Sequence, residues 1–74
     1  MKITVKLFAV FRNDRFKTED REFPANTTVG DVLASLDIEN PELGVALING
    51  RHVTVEQELA DGQTLSLFPK VGGG

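Results

Sequence analysis

The stretch that decides the fold is Val45-Ala46-Leu47-Ile48-Asn49-Gly50-Arg51-His52-Val53-Thr54-Val55. An Asn-Gly pair between two apolar runs predicts a β-hairpin with a two-residue turn, because both turn residues must adopt positive φ. That turn sets the strand register, and cross-strand partners share a face of the sheet. One face of the hairpin is therefore predicted to carry Ala46, Ile48 and Val53. The opposite face is predicted to carry Leu47 and His52.

The chain before the hairpin predicts two strands. Residues 2–11 alternate between apolar and polar side chains and predict a long first strand. Its inward positions are Ile3, Val5, Leu7 and Ala9. Residues 16–23 predict a second, more polar strand, which suits an edge of the sheet.

A helix is predicted between the second strand and the hairpin. Thr28 can act as the N-cap, and Asp31 three residues later completes a capping-box pattern with Asp in place of Glu. The apolar positions that follow have helical spacing and form one stripe: Val29, Val32, Leu33 and Leu36. The pattern fades near Asp37, and Pro41 prevents its continuation.

A last strand is predicted over residues 63–68, after an irregular segment at residues 56–60. Leu65 and Leu67 would point inward, so Ser66 and Phe68 would point outward. The order is strand, strand, helix, strand, strand and a final strand. This order predicts an α+β fold in which a mixed sheet packs on one helix.

Four apolar side chains are predicted on the sheet face away from the helix: Phe8, Val10, Leu47 and Phe68. An exposed apolar group of this size in a small domain favours a partner-binding surface. Two alternatives stay open at this point. A loop could cover these residues, or the strand parity could be shifted by one position.

The composition limits the classes of function. The 74 residues suffice for one small domain, and they include no cysteine that could form a disulfide or hold sulfur on a side chain. The net charge is −3 and no basic cluster occurs, which argues against a nucleic-acid partner. No apolar run has the length of a signal peptide core or a membrane span, so we expect a cytoplasmic protein without a membrane partner.

The glycine-rich end, Phe68-Pro69-Lys70-Val71-Gly72-Gly73-Gly74, is the main functional candidate. We expect residues 1–69 to form the domain and residues 70–74 to form a flexible tail. Gly72 and Gly73 lack side chains, so they could thread a narrow channel and bring the Gly74 carboxylate to a partner's active site. The alternative is a frayed terminus without a function.

No residue set in the chain looks capable of catalysis by itself. His52 is the only histidine, and it would need a positioned partner to act as a general base, so we expect a plain surface residue. Glu56, Glu58 and Asp61 lack the spacing of a calcium loop and are expected to form a solvated acidic edge. We therefore predict no catalytic residue and no metal site.

Several stretches resemble the MoaD/ThiS family of small sulfur-carrier proteins, which have the ubiquitin-like β-grasp fold. The matching stretches, in chain order, are Lys6-Leu7-Phe8-Ala9 with Arg12, Val29–Leu33, Ala46–Gly50, Leu59–Gln63 and Leu67–Gly74. The first and last stretches favour the branch of molybdopterin synthase small subunits over the thiamin branch. Lys70 departs from the pattern, because a second proline is common there, and Gly72 makes the ending a triple glycine.

The resemblance implies a carrier rather than an enzyme. An E1-like adenylating partner would use ATP to activate the Gly74 carboxylate, and sulfur would then replace one oxygen to give a thiocarboxylate. The acceptor would be the large subunit of molybdopterin synthase or an equivalent enzyme, with this chain as the small subunit of the complex. No cofactor would be bound stably. The expected partner interface comprises Phe8, Val10, Leu47, Phe68, Pro69 and Val71.

Three alternatives remain open from the sequence. The sulfur could serve thiamin synthesis or another thiolation pathway. The activated end could instead form an isopeptide bond with a lysine of another protein, which would make the chain a ubiquitin-like modifier. Lastly, the chain could be a β-grasp interaction domain with an inert tail.

Overall fold

A five-stranded mixed sheet carries one helix on one of its faces in residues 1–70, the part of the chain that the computed structural model describes. The strands and the helix, in chain order, are β1 (Lys2–Leu7), β2 (Thr18–Glu22), α1 (Val29–Ser35), β3 (Leu43–Ile48), β4 (Arg51–Val53) and β5 (Thr64–Pro69). Two short 3-10 segments, Ala9–Arg12 and Asn40–Glu42, connect them. The predicted α+β class and element order are confirmed.

The sheet has the strand order β2-β1-β5-β3-β4. β1 and β5 are parallel neighbours in its centre, whereas the other three pairs are antiparallel. The second strand lies at an edge, as its polar composition predicts. This arrangement brings the end of the last strand beside the end of the first, which decides where the candidate site forms.

The predicted hairpin is confirmed. Asn49 and Gly50 have φ values of 49° and 85°, which are the positive angles that a two-residue turn of this kind requires. Ala46 pairs with Val53 and Leu47 pairs with His52, in the predicted register. Ala46 is buried and His52 is exposed, so the prediction of which face points inward is also correct.

The hydrophobic core lies between the sheet and α1. Both β5 residues predicted to point inward are fully buried, and all four apolar positions of the helical stripe are buried. The fully buried large side chains are Ile3, Val5, Leu7, Val29, Val32, Leu33, Leu65 and Leu67. Removing this area from water supplies the main free energy of folding, at about 25 cal/mol per Å² of apolar surface.

The N-terminus of α1 has the predicted capping box. The hydroxyl of Thr28 accepts a hydrogen bond from the Asp31 amide at 3.2 Å, and the Asp31 carboxylate accepts one from the Thr28 amide at 3.0 Å. The helix ends at Ser35, and Asp37 beyond it has a φ of 58°. Arg15 donates to the carbonyl of Leu36 at 2.9 Å, which satisfies a helix-end carbonyl from a distant loop.

The first strand is shorter than predicted. It ends at Leu7, and Ala9 has a φ of 51° at the start of a 3-10 segment, so the placement of Ala9 on the inner face of a strand is wrong. The 3-10 segment turns the side chain of Phe11 into the core, where it is 3% exposed. Burial of this phenylalanine therefore overrides the alternation that suggested a longer strand.

The bounds of the other strands differ from the predictions by a few residues. Strand β2 is shorter than residues 16–23 at both ends. The second apolar run of the hairpin predicts a strand over residues 52–55, whereas β4 begins one residue earlier, at Arg51, and ends two residues earlier, at Val53. Strand β5 extends one residue beyond the predicted end, through Pro69. This last difference matters for the site, because sheet pairing then extends to the root of the tail, by which we mean Pro69 and Lys70.

Candidate functional site

Two stacked phenylalanines mark the sheet face away from α1. The rings of Phe8 and Phe68 lie 4.1 Å apart between centroids, at an angle of 11°. They meet because Leu7 pairs with Leu67 across the parallel strands, which places the next residue of each strand side by side. The guanidinium of Arg12 lies 5.3 Å from the centre of the Phe8 ring and extends the stack by a cation–π contact.

An open apolar depression adjoins this stack. It is lined by Val45, Leu47, His52, Phe68 and Pro69. Val45 pairs with Phe68 across β3 and β5. Leu47 lies two residues further along β3, on the same face, and pairs with Ser66. We call the combined set of Phe8, Val45, Leu47, Phe68 and Pro69 the outer apolar surface.

The structure brings most of the predicted interface residues together. Phe8, Leu47 and Phe68 are half-buried on the outer apolar surface, and Pro69, which is itself buried, lines the depression beside them. Val10 was predicted on the same sheet face, but that placement is wrong, because it belongs to the 3-10 segment after β1 and is 61% exposed. The predicted parity of β3 and β5 is correct, so a shift by one position does not explain the apolar face.

Two residues of this region were not predicted. Val45 shares the outward face with Leu47, and the alternation of β3 could have indicated it. Arg12 has no such signal, because its position over Phe8 depends on the 3-10 segment. Its Nε also donates to the carbonyl of Leu7 at 2.7 Å, which holds the guanidinium in place.

The outer apolar surface leads directly into the root of the tail. Pro69 pairs with Leu43, and the amide of Lys70 donates to the carbonyl of Glu42 at 3.0 Å. Lys70 is exposed and is the last described residue. The predictions for Val71 and for Gly72, Gly73 and Gly74 concern positions outside the described residues.

The other candidate residues are surface side chains. His52 is exposed at the rim of the depression, and Glu56, Glu58 and Asp61 are exposed as expected. Within residues 1–70, no group of three His, Asp or Glu side chains is placed to hold a metal ion. The same part of the chain contains no helix that is both long and apolar enough to cross a membrane.

A comparison with protein families shows to which family the chain belongs. The profile of the ThiS family matches residues 5–74, which is nearly the whole sequence. The chain belongs to the ThiS family. The resemblance noted from the sequence is confirmed, and with it the assignment to the small ubiquitin-like sulfur carriers. A comparison with curated proteins gave no significant match.

Solved structures support the same assignment for this ThiS-family protein. The Haloferax volcanii HVO 2177 protein is 33% identical, with a TM-score of 0.83 over 100% of this chain and 87% of its own. SAMP1 from the same organism, a small archaeal modifier protein, is 28% identical with a TM-score of 0.77 over 100% of both chains. A putative molybdopterin converting factor subunit 1 from Pyrococcus furiosus is 27% identical, with a TM-score of 0.76 over 96% and 99% of the two chains.

These similarities confirm the ubiquitin-like β-grasp fold of this ThiS-family protein. A half-buried aromatic pair and an apolar depression lie beside the residue from which the glycine-rich end starts. Such a surface can bind a partner's apolar side chains.

Proposed function

We propose that this protein carries sulfur as a thiocarboxylate on Gly74 and donates it in the biosynthesis of molybdopterin. Family membership supports the role of sulfur carrier. The similarity to a putative molybdopterin converting factor subunit 1 over almost the entire chain supports this particular pathway. The observation that carries the proposal is the continuity of the outer apolar surface with the tail root at Pro69 and Lys70.

The chemistry needs an activation step, because a carboxylate is a poor electrophile. The Gly74 carboxylate would attack the α-phosphorus of ATP and release pyrophosphate, which leaves an acyl adenylate. A persulfide of a donor would then attack the acyl carbon and release AMP, giving an acyl disulfide. A thiol would reduce this disulfide to the thiocarboxylate and would itself become part of a disulfide on the donor side.

The described residues contribute binding and delivery to this reaction. Beyond Pro69 and Lys70, which pair with the start of β3, the four residues from Val71 to Gly74 can span at most about 14 Å when extended, which would carry the Gly74 carboxylate from a docked domain into a partner's active site. Phe8 and Phe68 would bind the partner, and an aromatic side chain in such a position can supply about 2 kcal/mol or more of binding free energy.

Two partners follow from the proposal. An E1-like adenylating enzyme would bind ATP and supply the catalytic residues, so this chain would hold no cofactor of its own. A sulfur-acceptor enzyme, such as the large subunit of a molybdopterin synthase, would then receive the thiocarboxylate. We propose a cytoplasmic location, because the adenylation consumes ATP.

The test is intact mass spectrometry of the chain after incubation with its adenylating enzyme, ATP and a persulfide donor. We expect the mass gain that corresponds to the exchange of one oxygen for sulfur. One extra residue after Gly74 should abolish this gain, whereas one extra residue before Met1 should not. Equal gain in the chain blocked after Gly74 would refute the proposal.

A protein modifier is the second candidate function, and the similarity to SAMP1 over 100% of both chains favours it. The same activated carboxylate would then form an amide with a lysine of another protein. Cells that express the chain with an N-terminal epitope should show high-mass conjugates, and removal of Gly73 and Gly74 should eliminate them. Absence of conjugates, together with a positive thiocarboxylate result, would leave only the carrier function.

A further inference from the structure

The pairing between β3 and β5 is irregular just before the tail begins. Val45 pairs with Phe68 and Leu43 pairs with Pro69, so β3 advances by two residues where β5 advances by one. Gly44 is therefore an extra residue on β3, which is the arrangement of a β-bulge. A bulge bends its own strand and changes the direction of neighbouring groups, and this bulge faces the root of the tail.

Gly44 also allows an unusually close approach between the two strands. A Cβ atom at this position would lie 2.7 Å from the carbonyl oxygen of Pro69, 2.9 Å from its carbonyl carbon and 3.0 Å from the nitrogen of Lys70. All three contacts involve backbone atoms, so no side-chain rotation could relieve them. Any residue other than glycine would have to push Pro69 and Lys70 away from β3.

A hydrogen bond holds the chain one residue further on. The amide of Lys70 donates to the carbonyl of Glu42 at 3.0 Å. Glu42 is itself fixed, because its carboxylate accepts from the Glu39 amide at 2.8 Å and its own amide donates to the Glu39 carbonyl at 2.9 Å. The acceptor of this bond therefore belongs to a small rigid turn.

We propose that Gly44 and the Glu42 carbonyl are positioning elements for the reactive end of the protein. They hold Pro69 and Lys70 against the start of β3 and so set the position and direction in which the chain continues beyond Lys70. This inference rests on the proposed sulfur-carrier function. Both act on the backbone of Pro69 and Lys70 and not on the reacting group, so they are positioning and not catalytic residues.

The physical benefit is preorganisation. Fixing the backbone of a residue costs conformational entropy. If the fold already orders Pro69 and Lys70, binding to a partner does not have to order them again. The outer apolar surface and the start of the tail then form one rigid unit, so a partner that binds Phe68 receives the tail at a defined place.

The first experiment measures hydrogen exchange of the Lys70 amide by NMR in the free protein, and it does not depend on the proposed function. We expect exchange at least about tenfold slower than in an unstructured peptide. Gly44→Ala should remove this protection while the amides of β1 keep theirs. Unprotected Lys70 in the natural sequence, or unchanged protection in Gly44→Ala, would overturn the inference.

The second experiment measures the kinetics of adenylation by the activating enzyme. Gly44→Ala should lower kcat about tenfold, since a misplacement near 1 Å can cost about 100-fold, and should change KM for the carrier by less than about twofold. Gly62→Ala is the matched control, because Gly62 has a φ of 85° and open space around its Cβ position. The Gly62→Ala substitution lowers the stability of the domain through backbone strain at a position far from the tail. The kcat for adenylation of this variant should therefore stay unchanged. Equal kcat for Gly44→Ala and the natural sequence would also overturn the inference.

A third variant covers the case in which Gly44→Ala does not fold. Glu42→Ala removes the bond to the Glu39 amide without adding any atom near Pro69, and it should speed exchange of Lys70 and lower kcat. Normal exchange and normal kcat in this variant would count against the inference. If the natural protein is not adenylated at all, the proposed function fails. The exchange rate of the Lys70 amide still shows whether Pro69 and Lys70 are held against β3.

Discussion

The apolar residues of β5 lie on two faces of the sheet, and the two faces differ in how far these residues are buried. On β5, Leu65 and Leu67 point toward α1 and are fully buried, whereas Phe68 points to the other face and stays half-buried. The inner residues are sealed by a helix from the same chain. The outer residue stacks on Phe8, pairs with Val45 and lines the open depression. The comparison indicates that the inner face serves folding and that the outer face leaves apolar area for a partner.

The outer face is itself divided along the strands. At the end where β1 begins, Thr4 donates a hydrogen bond to the Asp20 carboxylate at 2.7 Å, and the neighbouring side chains are polar. At the end where β5 finishes, the side chains are apolar and the tail begins. The apolar area is therefore concentrated at the end of the sheet where Pro69 and Lys70 lead into the glycine-rich end, which agrees with the proposed delivery of Gly74 to a partner.

The largest expected effect tests the inner face. Leu65→Ala should lower the free energy of unfolding by about 2–5 kcal/mol, because it removes buried contacts and leaves a cavity. A domain of this size has little stability in reserve, so partial unfolding at room temperature is expected. Urea denaturation followed by circular dichroism measures the change. A loss below about 1 kcal/mol would contradict the assignment of Leu65 to the sealed core.

The next effect tests the outer face. Phe68→Ala should weaken binding to the adenylating enzyme by about 2 kcal/mol, or roughly 30-fold in Kd. It should lower the free energy of unfolding less than Leu65→Ala, because Phe68 is half-buried. Titration calorimetry gives the Kd. Ser66→Ala, two residues earlier on the same face, is the control and should bind normally. Normal binding by Phe68→Ala would show that the outer apolar surface is not the interface.

A smaller effect tests the helix that seals the inner face. Thr28→Ala removes the hydroxyl that accepts from the Asp31 amide and should cost about 1 kcal/mol of stability. Binding to the partner should stay unchanged, since Thr28 lies far from the outer apolar surface. Thermal unfolding measures the loss, with Thr18→Ala on the exposed edge strand as the control. Equal melting temperatures for both variants would contradict the role of the cap.

The smallest effect tests the polar end of the outer face. Thr4→Ala breaks the hydrogen bond to Asp20, but both groups remain close to water, so the loss of stability should be below about 1 kcal/mol. The Kd for the adenylating enzyme should not change. Reduced binding in this variant would extend the interface across the whole sheet face and remove the division proposed above.

Sequence reasoning succeeded where the cause of a structure is local. The Asn49-Gly50 turn and the cap formed by Thr28 and Asp31 each depend on a few adjacent residues, and both are confirmed. The inward and outward residues of β3 and β5 follow from alternation, which also predicted that Leu47 and Phe68 share a face. The family pattern, which is spread over five stretches of the chain, predicted membership of the MoaD/ThiS family, and the match to the ThiS family confirms it.

Sequence reasoning failed where distant segments decide. The end of β1 is set by the burial of Phe11, not by the alternation that continues past Leu7. Arg15 supports the end of α1 across 21 positions of sequence, and no pattern indicates such a contact. Val10 was misplaced for the same reason, because the course of the chain after Leu7 depends on tertiary contacts.

The amino-acid sequence by itself determined the hairpin, the capped helix, the two-sided strands and the glycine-rich end with its candidate chemistry. Each of these depends on local backbone preference or on simple periodicity, which neighbouring residues encode. Only the tertiary structure placed Phe8 against Phe68 and showed that Gly44 lets Pro69 and Lys70 lie against β3. Those contacts join residues that are far apart in sequence, and their geometry arises from the packing of the whole domain.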